Sequence, residues 1–179
     1  MTMKRLVGSA AVAVALVLVV SSPAEARRAV HESSPVWELP GVAPEVADAS
    51  ASITRSNGGV TVRLDSSGFG LHHAVTLWSI SFDHPENCDH GGPLPDGRVA
   101  LCGPGDDAAT DTGFRVQQLG GHVIGANGNA NYAGHVDVDD PFGAEFHIVI
   151  ADHGPKDPAQ LPGQIMSPAP GSQIAFFIP

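Results

Sequence analysis

The residues best placed to do chemistry lie in one run, Ala144-Glu145-Phe146-His147-Ile148-Val149-Ile150-Ala151-Asp152-His153-Gly154. Its β-branched and aromatic core reads as a strand, ended by Asp-His-Gly-Pro. Glu145 and His147 are two apart and so share a strand face, where both could reach a single ion. A strand buried on both faces must find partners for such groups. Phe146, Ile148 and Ile150 make the opposite face wholly apolar, so that face belongs to the core.

Histidine is abundant, nine in 179 residues, and eight of the nine lie from His72 onwards. Neutral imidazole is the commonest protein ligand for zinc and copper. His73 opens a second long strand, and His122 lies just before an Asn-Gly turn. If these strands are neighbours, His73, His122, Glu145 and His147 could converge on zinc or copper. No His-x-His, His-Glu-x-x-His or Cys-x-x-Cys spacing names a metal locally. The alternative is structural: hydrogen-bonded histidines, with Glu145 paired to Arg63 or Arg115. Asp106, Asp107 and Asp111 offer oxygen ligands without the twelve-residue calcium-loop pattern. There is no Gly-x-Ser-x-Gly and no glycine-rich phosphate loop, and nothing selects a carboxylate pair for glycoside cleavage. The reading therefore leans away from an enzyme and assigns no catalytic residue.

The elements that must position these groups follow from the chain's punctuation. Lys4 and Arg5, the apolar run from Leu6 to Val20, and Ala24-Glu25-Ala26 read as an export signal over residues 1–26, cleaved after Ala26. That run is short of the roughly 20 apolar residues a spanning helix needs, so no membrane span is expected after cleavage. Cleavage leaves seven basic and eighteen acidic residues, a formal charge of −11 against −10 for the whole chain. Such acidity disfavours nucleic acid as a partner and leaves an unknown extracellular ligand or protein. Residues 27–50, rich in Pro and Ala, read as a flexible leader that Trp37 and Leu39 could pin to the domain surface. A β domain should occupy residues 51–179.

Within it, Ser56-Asn57-Gly58-Gly59 between alternating apolar runs predicts a hairpin, and Asn127-Gly128 predicts a second. His73 to Phe82 is a long strand; Trp78, Ile80 and Phe82 mark its expected core face in the later half. Gln173 to Ile178 is a closing strand, after a Pro-rich loop over 155–170. Asp83 to Asp111 is a long excursion holding both cysteines, Cys88 and Cys102. In an exported chain these should form a disulfide closing a 15-residue loop, worth about 3 kcal/mol. No helical period appears outside the signal. The fold class is all-β: a single antiparallel sandwich or barrel of about seven or eight strands with a long disulfide-stapled loop.

The succession His73-Ala-Val-Thr-Leu-Trp78, Phe82-Asp-His-Pro85 with Cys88, Gly121-His122-Val-Ile-Gly125 and Glu145-Phe-His147-Ile-Val-Ile with Asp152-His153-Gly154-Pro155 resembles a group of exported bacterial proteins of uncharacterised function. The resemblance covers residues from about Val60 to Gln164. It implies a secreted all-β module and transfers no catalytic residue. A looser likeness to the copper/zinc superoxide dismutase sandwich, or to chordin-type repeats, rests on histidines in an all-β chain. The dismutase pattern of closely spaced histidine ligands is missing. The first reading is thus a secreted, non-catalytic binding module; the second is a histidine-dependent zinc or copper protein that could carry redox chemistry.

Overall fold

The computed structural model describes residues 28–179, so the expected export signal and cleavage site fall outside the described residues. The chain is all-β and antiparallel, with strands β1 (Val30–Ser34), β2 (Trp37–Glu38), β3 (Ser50–Ser56), β4 (Gly59–Ser66), β5 (His73–Phe82), β6 (Gly92–Pro93), β7 (Val99–Ala100), β8 (Phe114–Val123), β9 (Ala130–Val136), β10 (Glu145–Pro155) and β11 (Gly171–Phe177). One short helix, α1 (Leu161–Met166), precedes β11. One sheet has the order β1-β3-β4-β9, a second β2-β11-β10-β5-β8, and β6 with β7 forms a small third ladder. The count is therefore eleven strands rather than seven or eight. The excess comes from two-residue strands too short to leave a sequence period.

The two large sheets enclose one core. Ile53, Val60, Val62, Leu64 and Val136 come from the first; Val75, Leu77, Phe146, Ile148, Ile150 and Phe177 come from the second. The period-two alternation of β4 and β10 is the direct cause, because it sends every second side chain inward. Phe146, Ile148 and Ile150 all have 0% exposure.

β3 and β4 form the hairpin at Asn57-Gly58, with Ser56 opposite Gly59. The turn at Asn127-Gly128 is not a hairpin. β8 pairs only with β5 and β9 only with β4, so the chain crosses there from one sheet to the other. A tight turn signal reports reversal of the chain but not which edge the next strand will join.

Two further expectations are corrected. Of the leader expected over 27–50, the described residues 28–50 carry β1 and β2. β1 covers the edge of β3, Val36, Trp37 and Val46 are buried, and Arg55 (2% exposed) reaches Glu32 of β1 at 2.5 Å. Arg55 also donates to the carbonyls of Pro141 and Ala144 and lies over the Phe146 ring. These anchors sit far along the chain, which is why a local reading sees only Pro and Ala. On β5 it is Val75 and Leu77 that face the core, with Ser79 and Ser81 buried beside them. Trp78, Ile80 and Phe82 lie opposite Val149, His147 and Glu145 on the outer face. That face is apolar because something else covers it.

α1 occupies part of the Pro-rich segment. Thr76 donates its hydroxyl to the Ile165 carbonyl, and so does the Gln118 amide. Gly121 is needed beneath it: a Cβ there would fall 2.1 Å from Ile165 Cγ2.

Candidate functional site

The cover over the outer face of the second sheet is the excursion Asp83–Asp111. It is stapled by the Cys88–Cys102 disulfide and organised around Asp106, whose carboxylate is 2% exposed. That carboxylate accepts the backbone N–H groups of Asp89, His90 and Gly103 and the Nδ1 of His90 at 2.8 Å. Burial alone pushes its pKa up, but these four donors outweigh it and hold the group at about 2. The same contact raises the pKa of His90, through the hydrogen bond first and the charge second.

Two latches tie the excursion to the rest of the fold, and a disulfide closes the loop that carries them. Glu145, 0% exposed, accepts the Leu101 N–H at 2.9 Å and the Cys102 N–H at 3.3 Å. It also pairs with Nε2 of His147 at 2.7 Å. Arg98 donates to the Phe176 carbonyl and the Ser34 hydroxyl, with its guanidinium 5.8 Å from the Trp37 ring centroid.

Cover and sheet do not meet everywhere. Between them lies a cleft of about 530 Å³, within the usual range for a small-molecule site. Ile80, Phe82, Val149, Ile174 and Phe176 form its floor; Leu94, Ala100 and Gly92 of the excursion and Leu39 and Val42 from beyond β2 form its sides. His147 is the one polar side chain rising from the floor, 6% exposed and flanked by the rings of Phe82 at 5.4 Å and Phe176 at 4.6 Å. A carboxylate cannot donate, so Nε2 of His147 carries the proton given to Glu145. In the neutral ring Nδ1 is then an acceptor. It takes no hydrogen bond among the described residues and is not sealed away from the cleft.

The four residues expected to converge do not. Glu145 and His147 meet on the outer face. His122 lies opposite Val75 on the core face, stacked 4.8 Å from Tyr132. His73, at the end of β5, pairs with Asp152 at 2.9 Å. The sheet itself stands between the two pairs. Among the described residues only Cys88, Cys102 and Asp106 bring three potential donor atoms within 4.8 Å of one another. Both sulfurs are consumed by the disulfide and Asp106 by its N–H donors. Neither Arg63 nor Arg115 pairs with Glu145; Arg115 instead bridges buried Asp83, at 2.9 Å, and Asp139. Burial raises the Asp83 pKa, an effect that Arg115 partly offsets. Burial likewise lowers His122 and His153, the latter with Asp152 opposing the shift. Nε2 of His153 bonds the Thr76 hydroxyl at 2.9 Å, so His153 supports α1.

Sequence reasoning missed the cleft, the Arg98 latch and the role of Asp106. One signal was available. β5 carries Val75 and Leu77 on one face and Trp78, Ile80 and Phe82 on the other, and a strand with bulky apolar residues on both faces needs a cover on its second side.

No helix among the described residues is long and apolar enough to cross a membrane. Comparison with protein-family models, with curated proteins and with solved structures finds no match.

Proposed function

We propose that this chain is a secreted, non-catalytic β-sandwich binding module whose ligand seats in the cleft between the stapled excursion and the outer face of β10, β5 and β11. The observation that carries the reading is the cleft itself: about 530 Å³, largely apolar walls, and one nearly buried imidazole whose Nδ1 takes no hydrogen bond from the described residues. Concave apolar sites with few polar groups are the usual form of small-molecule sites. A cover held by a disulfide, a buried carboxylate and an arginine keeps the cleft formed without ligand, which lowers the ordering penalty on binding. Export is supported by the tripartite N-terminal pattern and agrees with the disulfide.

The test is a methyl-labelled NMR titration of the mature protein with small apolar probes. Binders should move the methyl signals of Ile80, Val149 and Ile174, and Val149→Trp, which fills the cleft, should abolish the shifts. Probes that bind only elsewhere, or whose binding survives Val149→Trp, would overturn the reading.

A further inference from the structure

The chemistry around His147 narrows the ligand beyond a generic apolar molecule. Its Nε2–H is committed to Glu145, which is held in turn by the Leu101 and Cys102 amides. Neither the tautomer nor the ring direction is free to change without losing a hydrogen bond to a fully buried carboxylate. In the neutral ring the unused Nδ1 is therefore a fixed acceptor with no donor of its own to offer. A ligand that dries the cleft must supply a donor there, or leave a desolvated lone pair unmet.

The surroundings set the rest of the molecule. The rings of Phe82 and Phe176 flank the imidazole, the first tilted and the second edge-on. A flat ring entering beside them gains offset or edge contacts at centroid separations of about 4.5–7 Å. Asp107 and His90 line the cleft as well, the second paired with buried Asp106. These two can offer opposite charges, so it is the chain's formal charge of −10 that disfavours anionic ligands.

We infer that the cleft selects uncharged aromatic molecules bearing one hydroxyl or ring N–H donor, with that donor bonded to Nδ1 of His147. This rests on the cleft being the binding site. His147 acts as a specificity determinant: the apolar walls supply contact area, and the imidazole distinguishes an aryl alcohol from its ether.

Two probes separate the ideas, 2-naphthol and 2-methoxynaphthalene, which share a ring system but differ in the donor. Titration calorimetry on the mature protein should show 2-naphthol binding about three- to tenfold more tightly, the ratio one net hydrogen bond supplies. In ¹⁵N-histidine-labelled protein, 2-naphthol should move the Nδ1 resonance of His147, and 2-methoxynaphthalene should leave it in place. His147→Phe should bring the two affinities together. Because that variant deprives buried Glu145 of a donor, the ¹⁵N measurement on the unaltered protein stands as the independent test. Equal affinities with an unmoved Nδ1 signal overturn the ligand class while leaving the cleft reading intact. If neither arene moves the Ile80, Val149 and Ile174 methyl signals, both fail.

Discussion

Replacing Glu145 by Gln changes one oxygen to an amide nitrogen at the point where the stapled excursion joins β10. The carboxylate serves three donors, the Leu101 N–H, the Cys102 N–H and Nε2 of His147, and has no exposure to water. Glutamine has one acceptor oxygen. If that oxygen faces Cys102 and His147, the amide N–H₂ points at the Leu101 N–H, donor against donor. If it faces Leu101, His147 must take its other tautomer and the Cys102 N–H is left unmet. Either way a buried backbone donor is stranded and two charge-assisted bonds become neutral ones. Stranding a buried group costs about 1–3 kcal/mol, and hydrogen bonds to charged groups are worth more than neutral ones. Glu145→Gln should therefore destabilise the domain by about 2–4 kcal/mol. For a chain of this size that lowers the melting temperature by about 5–15 °C. Urea unfolding of the oxidised mature protein gives the energy. Hydrogen exchange of the Leu101 and Cys102 amides should accelerate more than that of the β4 amides, because the latch opens before the core does. A loss below about 1 kcal/mol, with Leu101 and Cys102 exchange unchanged, would refute the claim that this carboxylate holds the excursion down.

Other outcomes follow from the same geometry. Arg55→Met should cost about 3–5 kcal/mol in chemical denaturation, since it strands Glu32 and the carbonyls of Pro141 and Ala144. It should also expose the segment around β1 to limited proteolysis, and a protease-resistant β1 would contradict that anchor. Replacing Cys88 and Cys102 together by Ser should cost about 3 kcal/mol for a loop of this length and weaken probe binding in the cleft; a reduced protein with unchanged affinity would show the cover is held by the two latches alone. Stability should also depend on pH in two stages. His122 and His153 have depressed values in the fold, so their contribution is complete above the unfolded value near 6.5 and declines as pH falls below it. His90, raised by Asp106, works in the opposite sense: its contribution is present below 6.5 and lost as pH rises through its folded value. Asp106, held at about 2, contributes above its ordinary value of 3.8 and loses that contribution as pH falls from about 4 towards 2. Urea midpoints from pH 8 to 2 should show both stages. His122→Gln with His153→Gln should flatten the first, and an unaltered slope would refute its assignment.

The all-β class, the Asn57-Gly58 hairpin, the inward face of β10 and the Cys88–Cys102 staple were legible in the chain itself. Each rests on local physics: the period of two along a strand, a Ser-Asn-Gly-Gly turn whose last glycine, Gly59, takes the positive φ, and a closed count of two cysteines. That Glu145 and His147 share one face was legible too, because the period of two puts residues two apart on the same side. The tertiary structure alone decided what lies above them. Which face of β5 meets the core, whether β9 returns to its own sheet, and whether His73 and His122 share a side with Glu145 all depend on contacts between residues far apart in the chain. A period of two says that faces alternate, never which of them is inside. His73 and His122 turned inward and Glu145 and His147 outward, so a cluster that spacing allowed became two separate pairs. The outward pair acquired its cover from a 29-residue excursion that alternation could not place, because it is held there by Asp106, Arg98 and Glu145, carboxylates and a guanidinium that bond backbone atoms and carry no sequence period.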